Sequence, residues 1–281
     1  MNIRYSTLNK LLERLKSCAI RTIAKRKEKK RGKIAGVFES GASSSTQQPP
    51  TTTASFNITS EEALLSNYIA VQAAPPALPD HYILYKGKAV GNMYEEMFIR
   101  EDGSVHMDLI RTEKGGDFNH QNPAWYWTRE EATAEIYRQW GEIRCRWAET
   151  WVIQIQVPKT FIDTLRKQQL WYSPDWKEYI WYCRKGTSVG DPPAKFDKLW
   201  KAGQAQLIEG HICMRTPLTI PRIKKEELQE KISEDDVMYI EGRKATQSAF
   251  IDEEVVKRLG IMVRGKIHIE VYPAVTPPKK A

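Results

Sequence analysis

Residues 117–140 read DFNHQNPAWYWTREEATAEIYRQW, and the fold class turns on how this stretch changes character partway along. The aromatic run Trp125-Tyr126-Trp127 leads into a helix. Thr128 and Glu131 stand at the T-x-x-E spacing of a capping box. Ala132, Ile136, Tyr137 and Trp140 then fall on one helical face.

Outward from there the chain reads as short strands with helices between them. Strands are expected at 81–85, 150–157, 178–183, 206–213, 245–250 and 267–271. Residues 96–100 and 104–111, hinged at Asp102-Gly103, read as a hairpin. A helix is expected from Pro158 to Gln169, and another over 252–259, closed by Gly260. Strands dominate and do not alternate strictly with helices, which points to α+β rather than a doubly wound parallel sheet.

The N-terminal region has a different composition. Residues 1–37 hold twelve Lys/Arg against Glu13 and Glu28, a balance of +10 in a chain whose net charge is +8. Everything after residue 37 therefore sums to −2, and attraction to nucleic acid or an anionic surface belongs to residues 4–33. Leu8, Leu11, Leu12, Leu15, Ala19 and Ile23 recur at helical spacing and run into KRKEKKRGK at 25–33. Three readings compete here: a nuclear-localisation or nucleic-acid-contacting segment, a mitochondrial presequence ranked below it, and a solvated tail.

Residues 38–59 read as a Ser/Thr/Pro-rich linker and 60–79 as a short helix (61–71) with its connection. The domain is expected over 80–274, with a disordered 275–281 behind it. No stretch approaches the ~20 apolar residues of a membrane-spanning helix. Cys18, Cys145, Cys183 and Cys213 make no C-x-x-C pair, so neither a metal site nor a disulfide framework is expected. The compartment expected is nuclear or cytoplasmic.

Four segments in order resemble the ADP-ribosyltransferase superfamily. They are Leu84-Tyr85-Lys86-Gly87; Asp117-Phe118 with Trp125-Tyr126-Trp127-Thr128; Leu207-Ile208-Glu209-Gly210-His211-Ile212; and Thr246-Gln247-Ser248-Ala249-Phe250 with the helix after it. The resemblance spans residues 80–272. It implies a split β-sheet core with flanking helices, NAD as the substrate and a protein acceptor. It also implies that Lys86, Gly87 and Thr128 hold the cofactor while Tyr126 and Gln247 serve the chemistry.

Cleaving the nicotinamide–ribose bond builds positive charge on the ribose. A site for it needs a polar hold on the ribose or diphosphate, a ring against the nicotinamide, and a carboxylate or amide beside the developing cation. Lys86 stands where His or Arg is usual, and Gln247 where Glu is usual; both departures imply weak or absent transfer. Glu178 and Glu209 are candidates for the missing carboxylate.

Each residue also has a plainer reading. Tyr126 reads as a packed aromatic, Lys86 as a solvated strand-end lysine, and Gln247 as an amide satisfied by a neighbour. Trp171, Trp176 and Trp181 read as core, and His120 and His211 as unligated. Ser188 and Ser248 lack a G-x-S-x-G elbow. The alternative to an NAD-binding protein is a non-catalytic protein- or nucleic-acid-interaction module with a basic targeting tail.

Overall fold

In a computed structural model of the chain, the described residues are 52–56 (backbone only), 74–90, 97–216 and 218–275. They fall within one compact unit, Pro49–Ala281. The expected basic helix and the 61–71 helix lie outside the described residues.

The fold is mixed α and β. Its strands are β1 (Thr52–Phe56), β2 (His81–Val90), β3 (Trp125–Trp127), β4 (Glu149–Pro158), β5 (Lys167–Leu170), β6 (Leu207–His211), β7 (Tyr239–Ile240), β8 (Arg243–Lys244), β9 (Thr246–Phe250) and β10 (Ile267–Tyr272). The helices are α1 (Glu131–Arg144), α2 (Lys159–Asp163), α3 (Pro174–Lys185), α4 (Asp197–Trp200), α5 (Leu228–Lys231) and α6 (Glu253–Met262).

One antiparallel sheet runs β1-β10-β4-β2, and a second runs β3-β9-β6-β5, in which only β5 and β6 are parallel. A short ribbon pairs β7 with β8. The two larger sheets meet where Tyr85 and Thr128 exchange backbone hydrogen bonds of 2.7 and 3.0 Å.

Strand alternation sorts the interior into two main cores. Leu84, Ile153 and Ile155 from the first sheet join Trp125, Trp127, Leu207 and Phe250 from the second, with Val255, Val256 and Leu259 of α6. On the opposite face of the second sheet, Ile208 and Ala249 pack against Trp176, Tyr179, Ile180 and Cys183 of α3.

Four expectations change. Residues 178–183 are helical: the Ser173 side chain accepts from Trp176 N, Pro174 opens the first turn, and Trp176, Tyr179, Ile180 and Cys183 lie at helical spacing on the buried side. The helix expected from Pro158 to Gln169 stops at Asp163, and its second half is strand β5. Beyond the Ile99–Val105 bridge the expected hairpin gives way to a 3-10 turn, Met107–Ile110. Strand β1 lies inside the expected 38–59 linker, where it borders β10.

Two helix ends also move. The N-cap of α1 is Glu130, with no side-chain cap bond, so Thr128 and Glu131 form no capping box. The deeply buried residues of α1 are Thr133, Ala134 and Arg138, while Tyr137 is half-exposed. Gly260 lies inside α6, where a Cβ would collide with the Val105 carbonyl; it is a packing glycine and not a stop.

Candidate functional site

Strand β2 crosses beneath α1 with one face toward the helix and the other toward the first core. Gly87 is on the helix side, and a Cβ there would overlap the Ala134 carbonyl and crowd Arg138 N. Its lack of a side chain is required by helix packing, so the sequence-expected role of Gly87 at a cofactor is not what fixes this glycine. Leu84, Lys86, Lys88 and Val90 share the other face, and Leu84 and Val90 belong to the first core.

Lys86 and Lys88 are thus two neighbouring ammonium groups on an apolar face. Lys86 Nζ donates to the Tyr126 carbonyl at 3.0 Å, and Lys88 Nζ donates to the Leu109 carbonyl. Among the described residues neither has a carboxylate partner. Burial, with Lys88 alongside, pulls Lys86 down to about 7, and burial alone pulls Lys88 to about 8. Carbonyl dipoles accept the N–H bonds but do not neutralise the charge. Near neutral pH these two amines therefore lose their protons easily, and an anion beside them would restore the charge.

Tyr126 and Gln247 point elsewhere. Both turn toward the second core and converge on the 117–119 segment. The Tyr126 hydroxyl accepts from Phe118 N and donates to Asn119 Oδ1, both at 2.8 Å. Asn119 Oδ1 also accepts from Gly116 N at 2.8 Å, and its amide donates to the Thr112 and Glu113 carbonyls. Burial, and then the nearby Asp117 carboxylate, push the Tyr126 phenol well above its ordinary value.

Gln247 Nε2 donates to Asp117 Oδ2 at 2.7 Å and to the His211 carbonyl at 3.2 Å. Asp117 is held further by Arg184, whose Nη2 lies 2.7 Å from Oδ1, and by Cys213 N at 2.9 Å. The Arg184 and Asp117 side chains are each only 6% exposed, so this is a buried ion pair with its lone pairs filled. The amide at 247 follows from that pair, because Asp117 Oδ2 needs a donor and a glutamate would put a second carboxylate against it.

Thr128 is likewise committed. Its hydroxyl donates to Glu130 Oε2 at 2.5 Å and accepts from Glu130 N at 3.1 Å. The Glu130 carboxylate then ties the start of α1 to β9 through Thr246 Oγ1 at 2.7 Å.

The five sequence-selected residues therefore do not line one pocket. Lys86 faces the first core, Tyr126 and Gln247 face the second, and Gly87 and Thr128 serve helix packing and the start of α1. Of the two carboxylate candidates, Glu178 pairs with Lys195 at 2.7 Å on α3. Glu209 shares its side of the second sheet with Leu207 of the first core and pairs with Arg129 at 3.1 Å. Arg129 in turn lies 4.1 Å over the Tyr82 ring of β2. Lys86 and Lys88 are the two cationic side chains near the sheet junction that lack a carboxylate partner among the described residues, and Tyr126 does not stand with them.

Sequence reading missed Arg184, Glu130 and the pairing role of Asp117, because partners 67 residues apart carry no local signal. Of the tryptophans expected in the core, Trp176 and Trp181 are buried, whereas Trp171 is 38% exposed and lies against the His211 ring. Among the described residues no group of three His, Cys, Asp or Glu could hold a metal ion, and no helix is long and apolar enough to cross a membrane. Comparison with protein-family models, with curated proteins and with solved structures finds no match to this chain.

Proposed function

We propose that this chain is an NAD-binding protein of the ADP-ribosyltransferase-like kind, with Lys86 and Lys88 receiving the dinucleotide diphosphate. The observation that carries the reading is the pair of unneutralised lysines beside the junction of the two large sheets. A charge held against an apolar face without a counter-ion costs stability, and such groups cluster where a ligand supplies the missing charge. The split arrangement of the sheets and the order of the four motifs along the chain support the same reading.

Isothermal titration of the full chain with NAD and with ADP-ribose tests it. Binding should take up protons near neutral pH, because an anion raises the depressed Lys86 back toward its ordinary value. No heat at millimolar NAD in several buffers would sink the proposal.

A second reading, a non-catalytic interaction module, is favoured by one specific observation: the hydroxyl of Tyr126 and the amide of Gln247 are consumed by protein partners. Labelled-NAD transfer and hydrolysis separate the two. Binding without turnover supports the module, and turnover lost on substitution of Lys86 supports the enzyme.

A further inference from the structure

The loop 118–122 and helix α4 enclose a cavity of about 10 Å³ that opens to the surface. His120, Gln121 and Asn122 line one side, and Leu199, Trp200 and Ile251 the other. Phe118 and Leu199, which also border it, belong to the second core, so the cavity is on the side of the molecule that Lys86 does not face. The loop is fixed in place just before it: Asn119 Oδ1 accepts from Gly116 N and from the Tyr126 hydroxyl. His120 comes next in the chain, and it is 1% exposed.

His120 has one nitrogen answered and one open. Its Nδ1 lies 3.1 Å from the Tyr182 carbonyl, which only accepts, so Nδ1 carries the hydrogen. In the neutral ring Nε2 then presents a lone pair, and among the described residues it has no hydrogen-bond partner. Asp191 Oδ1 lies 3.8 Å from it, too far for a hydrogen bond and itself an acceptor. Trp200 meets the His120 ring edge-on, 5.7 Å between ring centres, and its buried Nε1–H has no acceptor among the described residues either. Two residues that line one cavity thus hold an unanswered lone pair and an unanswered N–H, each costly to bury unpaired.

A cavity of about 10 Å³ admits one oxygen-sized group and not a ring. To answer both atoms, that group gives a hydrogen to His120 Nε2 and takes one from Trp200 Nε1. A carboxylate or phosphate has no hydrogen to give and would meet the Asp191 carboxylate; an ammonium cannot accept; an apolar group does neither. A hydroxyl does both with a single atom. The rim offers more of the same chemistry: Asp191 is 60% exposed and held by Gln121 Nε2 at 2.6 Å, and the Asn122 amide is exposed beside it in the loop. The Trp200 indole, half-buried, adds an apolar surface. Water shares the donor–acceptor pair of a hydroxyl, but only a ring bearing several hydroxyls and C–H edges uses carboxylate, amide and indole together. We infer that this cavity is a binding site for a sugar, one of whose hydroxyls enters between His120 and Trp200 while Asp191 and Asn122 receive its neighbours.

The test titrates the full chain with methyl glucoside, ribose, methanol and tetrahydropyran, following the Trp200 indole and His120 ring 15N signals. The inference expects at least one of the two sugars to move both signals at millimolar concentration and tetrahydropyran, a ring without hydroxyls, to move neither. Methanol, a lone hydroxyl, should bind about tenfold or more weakly than the sugar. Trp200→Phe and the rim variant Asp191→Asn should each weaken sugar binding by about threefold to tenfold, the scale of one hydrogen bond. Signals that neither sugar moves, with a water cross-peak at the Trp200 indole, would reduce the cavity to a water site and overturn the inference. So would methanol binding as tightly as the sugars, or full affinity in both variants. Repeating the titration on Lys86→Met separates this site from the NAD reading: an unchanged sugar response with NAD binding lost keeps the two apart, and a sugar response lost with Lys86 would overturn the site assigned here.

Discussion

Asp117 and Lys86 are both inward-facing charges less than forty residues apart in sequence, and their surroundings differ in kind. Asp117 receives Arg184, Cys213 N and Gln247 and has no capacity left for a ligand. Lys86 receives one carbonyl and a second lysine. The first is a charge the fold has fully answered; the second is one it has left open. Resemblance alone had placed function at both ends of this pair, on Gln247 as well as on Lys86. The completeness of the partner set separates them.

The largest expected effect lies on the answered side. Asp117→Ala should cost about 3–5 kcal/mol, since it strands a buried Arg184; a loss under ~1 kcal/mol in chemical denaturation would show the network to be dispensable. Gln247→Glu comes next. A carboxylate at this position should destabilise the chain by about 2–4 kcal/mol, because it faces Asp117 Oδ2 across what is now a 2.7 Å hydrogen bond. Unchanged stability together with a gain of transfer activity would return Gln247 to the site.

Lys86→Met carries the opposite sign. Removing an uncompensated charge while keeping the stem should raise stability by about 1–2 kcal/mol. If the bond to the Tyr126 carbonyl were the purpose of Lys86, the same variant would be less stable.

The same lysine also sets a pH slope. Lys86 sits at about 7 in the fold against 10.5 for a free lysine, so between those values the unfolded chain binds more protons. Stability should therefore rise with pH from about 7 toward 10.5, and Lys86→Met should flatten the rise. A slope unchanged by the substitution would assign it to other groups.

How far the sequence carried the fold depends on the range of the forces involved. Strands β4, β9 and β10 were legible because each is a run with a Pro or a charged residue within two positions of both ends. Helix α3 was misread at 178–183 because its aromatics suit a strand as well as a helix; the Ser173-Pro174 start decides, and it lies outside that window. At the candidate site, Lys86 could be picked out as a residue, but the direction of its side chain could not. That direction follows from strand alternation, which needs a neighbour such as Leu84 known to be in the core. Asp117 stood inside a quoted motif, yet its role depends on Arg184 and Gln247, 67 and 130 residues away.

The most direct test of the account is a paired measurement on the full chain, wild type against Lys86→Met: NAD affinity by calorimetry and melting temperature by scanning calorimetry. The account predicts opposite movements, with the variant melting higher while its NAD affinity falls by about tenfold or more. A variant that melts lower, or that binds NAD as tightly as the wild type, would contradict it.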